Sequence, residues 1–145
     1  MDGLVVLRAD PALPSLVSLS AEPSEGKELF APPYAGRNVV ESITPTALAA
    51  LLKRDPQGIF LLDVRESDER ATASIDRSTH IPMNSVPDRL AEIPRDRRIV
   101  VFCHHGGRSH AVAGFLEAEG FQDVTNLTGG IDEWSRRVDP GVPRY

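Results

Sequence analysis

The residues best suited to chemistry form one short run in the second half of the sequence. The run reads Cys103-His104-His105-Gly106-Gly107-Arg108-Ser109 and contains the only cysteine of the 145-residue chain. A cysteine reacts as its thiolate, so a nucleophilic cysteine needs nearby groups that stabilise negative charge. The residues that follow this cysteine have that character.

The two glycines and the arginine suit an anion-binding loop. Gly106 and Gly107 allow successive backbone N–H groups to point inward, because glycine adopts positive φ without steric cost. Arg108 adds a fixed positive charge, and a helix that begins there offers further N–H groups. We therefore predict that Cys103 is a nucleophile whose sulfur lies in a cradle of N–H groups. Ser109 would either hydrogen-bond the sulfur or cap its helix.

Two other interpretations of the run are weaker. A lone cysteine is often an inert core residue, but such a residue does not require Gly-Gly-Arg close downstream. His104 and His105 could join Cys103 at a metal ion. Contiguous loop residues rarely point at one metal, however, and the sequence has no second cluster of ligands. We therefore expect no metal site.

The elements around the run predict an α/β fold. Two continuous apolar runs, at residues 59–64 and 98–102, have the composition of buried parallel strands. Weaker strands are expected at residues 39–43, 79–81 and 123–126. Helices are expected from Thr44-Pro45 onward and at residues 67–71, 86–92, 108–119 and 131–136. This alternation predicts a doubly wound, mainly parallel sheet with helices on both faces, and such sheets bind ligands at the carboxyl ends of their strands.

Composition narrows the classes of function. Hydrophobic residues make up 41% of the chain and charged residues 26%, as in a globular domain with its own core. A net charge of −5 without a Lys/Arg-rich run offers no surface for nucleic acid. We expect no membrane span and no signal peptide, because no apolar run is long enough and the first ten residues lack a basic segment. The predicted location is the cytoplasm, which suits a chain with one cysteine.

The first part of the chain differs from the rest. Five prolines interrupt residues 1–38, and no helical or strand period persists there. We predict a Pro-rich N-terminal arm over residues 1–38 and a single domain over residues 39–145.

The cysteine run resembles the active-site loop of rhodanese-like domains, which reads Cys-x-x-Gly-x-Arg-Ser. The resemblance covers roughly residues 40–145. Its other elements are Leu61-Leu62-Asp63-Val64-Arg65-Glu66, His80-Ile81-Pro82, Gly120-Phe121 with Val124, Asn126-Leu127-Thr128-Gly129-Gly130-Ile131, Trp134 and residues 138–145. The last of these segments is similar to the ends of small bacterial members, several of which are joined to ubiquitin-like-protein activating enzymes.

The resemblance implies a rhodanese-like fold with a central five-stranded sheet, and a sulfurtransferase activity. Cys103 would accept sulfane sulfur from a small-molecule donor or a protein, and pass it to a thiol, cyanide or a protein acceptor. The loop from His104 to Ser109 would hold the persulfide. Asp63 and Arg65 would support that loop, although an ordinary ion pair at a strand end explains them equally well. No metal or organic cofactor is implied.

The chain departs from the family pattern in two places. Where the family has Gly-His-Ile and then Pro-Gly-Ala, this sequence has Ala73-Ser74-Ile75 and Asp76-Arg77-Ser78. That change affects the expected turn rather than the chemistry. Members that prefer thiosulfate often have a basic residue beside the cysteine, whereas His104 is expected to be mostly neutral at pH 7. This residue argues against thiosulfate as the physiological donor.

Two alternative functions remain at this point. Cysteine-based phosphatases of the same fold use a similar loop, but they place five residues between the cysteine and the arginine. Here four residues intervene, and the tighter loop suits a single sulfur atom. The other alternative is a non-catalytic binding module or a sulfur-relay domain that serves one partner protein.

Overall fold

The computed structural model describes residues 40–145. The predicted arm over residues 1–38 lies outside the described residues, as does Val39, the first residue of the predicted domain. None of the helices that the model describes is long and apolar enough to cross a bilayer.

The described residues alternate between short strands and helices. The strands are β1 (Glu41–Ile43), β2 (Ile59–Asp63), β3 (Thr79–His80), β4 (Arg98–Phe102) and β5 (Val124–Leu127). The α-helices are α1 (Pro45–Arg54), α2 (Ser67–Thr72), α3 (Gly107–Ala118) and α4 (Gly130–Arg137). Three 3₁₀ segments complete the list: Pro56–Gly58, Met83–Asp88 and Leu90–Glu92.

The five strands form one parallel sheet in the order β1-β5-β4-β2-β3. The apolar runs at residues 59–64 and 98–102 form β2 and β4. These two strands pair over five residues, with Leu61 opposite Val100. Both of these side chains are buried. The predicted fold class is confirmed, and the described sheet is entirely parallel where a mainly parallel one was expected.

Helices cover both faces of the sheet, each over its own apolar core. On one face α1 and α4 pack through Leu48, Ile131 and Trp134. On the other face α3 buries Val112 and Leu116. In parallel sheets covered by helices on both faces, ligands bind at the carboxyl ends of the strands, which is where we expect a site.

Local sequence signals explain where several elements begin and end. Thr44 caps α1, since its side chain accepts a hydrogen bond from the Ala47 N–H at 3.2 Å, and Pro45 occupies the first helical position. Gly120, with φ of 95°, follows the end of α3. The predicted start of the first strand, residue 39, lies outside the described residues, and the strand begins at Glu41. The other predicted strand boundaries and those of α2, α3 and α4 agree with the structure to within one residue.

The segment predicted as a helix at residues 86–92 differs from the expectation. It forms parts of two 3₁₀ segments rather than one α-helix. Pro87 lies inside the first of them and has no N–H for an α-helical hydrogen bond, which favours short, tight turns.

The turn before β3 explains one departure from the family pattern. Arg77 has φ of 69° and is the single non-glycine residue with positive φ among residues 40–145. It stands where the family pattern has glycine. The left-handed turn is therefore kept, and the arginine carries backbone strain that a glycine would avoid.

Candidate active site

Cys103 lies at the carboxyl end of β4, the central strand of the sheet. The residue is only 1% exposed. Beyond it the chain turns within a few residues and enters α3 at Gly107. Gly106 makes this turn with φ of 117°, a conformation that residues with a β-carbon rarely adopt.

Hydrogen-bond donors converge on the sulfur of Cys103. The backbone N–H of Gly106 lies 3.1 Å from Sγ, measured from nitrogen to sulfur, and the backbone N–H of Ser109 lies at 3.4 Å. The Ser109 hydroxyl oxygen is also 3.4 Å from Sγ. These donors come from the turn and from the first turn of α3, so they stabilise a negative charge on the sulfur.

A buried asparagine orients the serine hydroxyl. The Ser109 Oγ lies 2.5 Å from Oδ1 of Asn126 on β5, and Nδ2 of Asn126 donates to the carbonyl of Gly106 at 3.4 Å. The hydroxyl has one proton, and the short contact places it on Asn126 in this structure.

The loop is held from behind by the start of α4. The N–H of Ile131 donates to the carbonyl of Cys103 at 2.9 Å, and the N–H of Asp132 donates to the carbonyl of His104 at 3.1 Å. This contact needs a glycine at position 130, because a β-carbon there would lie 2.4 Å from the Cys103 oxygen and 2.5 Å from the His104 oxygen. The backbone of the cysteine loop therefore rests directly on Gly130.

Asp63 and Arg65 form a fully buried ion pair at the end of β2. Arg65 donates from Nη2 and Nε to the two carboxylate oxygens of Asp63, at 2.6 and 2.9 Å. Arg65 also donates to the carbonyls of Glu69 and Ala73, and to the hydroxyl of Tyr145 at 2.9 Å. The pair thus organises the segment around α2, and it connects to the cysteine loop through other side chains.

Arg108 is directed toward a carboxylate on α2. It donates from both terminal nitrogens to Glu69, at 2.8 and 2.9 Å. The same carboxylate accepts from the Tyr145 hydroxyl at 2.9 Å and from the Glu66 N–H at 3.0 Å. The hydrogen bonds from Arg108 lower the pKa of Glu69 to about 2. The guanidinium still interacts electrostatically with Cys103, but its charge is paired.

The two histidines form a stack of rings with Tyr145. The rings of His104 and Tyr145 lie 4.0 Å apart between centroids with planes 9° apart, and His105 stacks on the other side of His104 at 3.9 Å and 28°. Burial lowers the pKa of His104, which favours the neutral ring expected from the sequence.

The histidines also approach a third residue of metal-ligand type. One ring nitrogen of His104, one of His105 and one carboxylate oxygen of Asp132 lie within 4.8 Å of one another. An imidazole binds a metal through a lone pair in its ring plane, and two stacked planes 28° apart do not converge at a nearby point. In addition, Arg144 donates to Oδ1 of Asp132 at 3.0 Å. The arrangement does not suit a metal ion.

Sequence reasoning missed three residues of the site: Glu69, Asn126 and Tyr145. Asn126 offered a signal, because asparagine is depleted in strands and a buried amide must find hydrogen-bond partners. Glu69 and Tyr145 offered none. Glu69 lies 39 residues before Arg108 in the sequence, and Tyr145 lies 37 residues after it. Both reach the site through the fold rather than through local spacing.

The comparisons with known proteins agree with this geometry. The rhodanese-like domain model matches residues 44–137. A protein named sulfurtransferase from Allochromatium vinosum is 38% identical over 88 residues, which cover 61% of this chain and 82% of that protein. The crystal structure of a rhodanese-like domain protein from Staphylococcus aureus has a TM-score of 0.63 and 30% identity, and the match covers 73% of this chain and 99% of that one.

One longer relative matches almost the whole sequence. A probable adenylyltransferase/sulfurtransferase MoeZ of Mycobacterium tuberculosis is 29% identical over 143 residues, which cover 97% of this chain but only 36% of that protein. The family model spans well over half of the sequence, and the described fold agrees with it. The chain belongs to the family of rhodanese-like domains.

Proposed function

We propose that this protein is a rhodanese-type sulfurtransferase that carries sulfur on Cys103 as a persulfide. The observation that supports this most is the convergence of the Gly106 and Ser109 N–H groups on a buried sulfur. Such an arrangement stabilises the thiolate that attacks a donor and the charged sulfur of the resulting persulfide.

The reaction has two balanced half-steps. The Cys103 thiolate attacks the outer sulfur of the donor, a new S–S bond forms, and the donor leaves with the electron pair of its broken bond. Thiosulfate would leave as sulfite, and a persulfide as a thiolate. The acceptor, a thiol, cyanide or a protein group, then attacks the outer sulfur and restores the Cys103 thiolate.

The surroundings of Cys103 support only a modest use of thiosulfate. His104 is neutral and stacked against Tyr145, so it gives little attraction to a doubly charged donor. A protein partner remains part of the proposal, because some relatives are named as combined adenylyltransferases and sulfurtransferases.

The loop is too short to favour the phosphatase alternative. Four residues separate Cys103 from Arg108, and both loop N–H groups named above point at one atom. A phosphate ester would need donors spread over three oxygens. An assay that follows both sulfur transfer and phosphate hydrolysis separates the two reactions.

The test measures sulfur transfer and aryl phosphate hydrolysis side by side. We expect sulfur transfer from thiosulfate or an alkyl persulfide to cyanide or a thiol, and its loss in Cys103→Ser with the circular dichroism spectrum unchanged. The matched control is Ser109→Ala, which keeps the nucleophile and should retain part of the activity. Faster hydrolysis of aryl phosphate than sulfur transfer would make the phosphatase alternative correct.

A further inference from the structure

The Glu69 carboxylate neutralises Arg108, the arginine of the cysteine loop. Both terminal nitrogens of Arg108 are hydrogen-bonded to this carboxylate. Glu69 is only 17% exposed, and Arg108 is 35% exposed. A partly buried ion pair with two parallel hydrogen bonds is screened less than an exposed pair, and its two opposite charges offset each other toward an incoming ligand.

Glu69 is also held in place from other directions. The Tyr145 hydroxyl donates to Oε1 and the Glu66 N–H donates to Oε2, and Tyr145 in turn accepts from the buried Arg65. These additional hydrogen bonds fix the position of the carboxylate. An anionic sulfur donor that enters the site therefore competes with a fixed partner for Arg108.

Around the cysteine loop, the other groups among residues 40–145 add no unpaired cation that compensates for this pairing. His104 and Tyr145 present stacked neutral rings. Asp132, beside His105, is paired with Arg144. The whole chain has a net charge of −5. A thiosulfate dianion therefore meets a site with little net attraction, whereas a donor of smaller charge, such as an alkyl persulfide, is disfavoured less.

We propose that Glu69 is a positioning residue for specificity: by pairing with Arg108 it makes the Cys103 site select alkyl persulfides over the thiosulfate dianion. This inference rests on the proposed sulfur transfer. The alkyl persulfide R–S–SH reacts with the Cys103 thiolate to give the Cys103 persulfide and the thiolate RS⁻. Its S–S bond breaks as the new S–S bond forms, and the proton stays on the transferred sulfur.

The experiment compares donors in the wild type and in Glu69→Gln. Glutamine keeps an oxygen that accepts from Arg108 but removes the negative charge. Second-order rate constants for persulfide formation on Cys103 are measured with thiosulfate, with a small alkyl persulfide that carries no other charge, and with the same persulfide on a short uncharged peptide. We expect the ratio of the thiosulfate rate to either persulfide rate to rise about tenfold in the variant.

The matched control is Glu92→Gln. Glu92 accepts two hydrogen bonds from Arg89, both of 2.8 Å, on an exposed surface. The substitution changes the net charge equally, so the donor ratio should stay within about twofold of wild type. An unchanged ratio in Glu69→Gln, or an equal rise in Glu92→Gln, would overturn the assignment of Glu69.

The wild type alone provides a second readout that does not depend on the variant folding. If Arg108 is neutralised, the thiosulfate rate constant stays flat or rises as salt increases, because screening relieves repulsion from an acidic protein. A steep fall with salt would show that an unpaired cation attracts the dianion, and it would refute the inference. The relative rates of the two persulfides identify whether the preferred donor is free or attached to a polypeptide. If no donor adds sulfur to the wild-type protein, it is the proposed function that fails.

Discussion

Substitution of Gly130 by alanine tests whether the start of α4 sets the position of the cysteine loop. The new β-carbon would lie 2.4 Å from the Cys103 oxygen and 2.5 Å from the His104 oxygen. Contacts below 3.0 Å are not tolerated, so these backbone atoms must move apart by at least about 0.6 Å. The N–H groups of Ile131 and Asp132 donate hydrogen bonds to these same two oxygens, so the movement would weaken both hydrogen bonds.

The expected loss of stability has two parts. Gly130 has φ of 62°, and a β-carbon in this conformation costs about 1–2 kcal/mol. Weakening the hydrogen bonds to the Cys103 and His104 carbonyls adds about 1 kcal/mol each. Less entropy in the unfolded chain returns up to about 1 kcal/mol. We therefore expect Gly130→Ala to lower the free energy of unfolding by about 3 kcal/mol.

The assay is urea denaturation together with the rate of sulfur transfer, and the control is Gly120→Ala. Gly120 has φ of 95°, but its added β-carbon would meet only an Arg95 side-chain nitrogen at 3.5 Å. Gly120→Ala should lose about 1 kcal/mol and keep full activity. Gly130→Ala should transfer sulfur at least about tenfold more slowly at a temperature where it is folded. Equal losses of stability in the two variants, or full activity in Gly130→Ala, would refute the reasoning.

Three further predictions concern the strained turn, the loop length and the Glu69 pair. Arg77→Gly should raise the free energy of unfolding by about 0.5–1 kcal/mol, because glycine relieves strain at φ of 69°. Arg77→Ala, which keeps a β-carbon, should show no such gain in the same denaturation series. A glycine inserted after Gly106 should slow sulfur transfer about tenfold or more, since one lost hydrogen bond to a charged group is worth about 1.5–3 kcal/mol; an insertion that left the rate unchanged would show that loop length does not matter. Finally, the pKa of Glu69 is lowered to about 2, so its carboxylate stabilises the fold above its ordinary pKa, and this stabilisation is lost as pH falls toward 2. The stability difference between wild type and Glu69→Gln, measured by urea denaturation, should be full at pH 7 and shrink from about pH 4.5 downward; a difference that does not depend on pH would contradict the charge-based explanation.

Much of the fold could be predicted because its signals are local. The strand at residues 98–102 is a continuous apolar run, and the start of α1 is marked by Thr44 and Pro45. Gly106 predicted the turn after Cys103 because a positive φ there requires a residue without a β-carbon. These patterns need no knowledge of distant residues.

The rest of the site depends on contacts between distant parts of the chain. The sequence placed Arg108 beside the cysteine, but not the carboxylate 39 residues earlier that binds it. Tyr145 stacks on His104 and donates to Glu69 although nothing in its neighbourhood marks it. Local spacing predicts which groups surround the sulfur, while the electrostatic state of Arg108 follows only from the folded arrangement.

Mass spectrometry of Cys103 after exposure to sulfur donors tests the central claim most directly. The protein is treated with thiosulfate, with an alkyl persulfide and, separately, with an aryl phosphate, and the peptide that contains Cys103 is then analysed. The proposed function predicts one added sulfur atom on that peptide after at least one sulfur donor, removed again by a thiol or cyanide. No added sulfur with either sulfur donor, or a phosphate adduct instead, would contradict it.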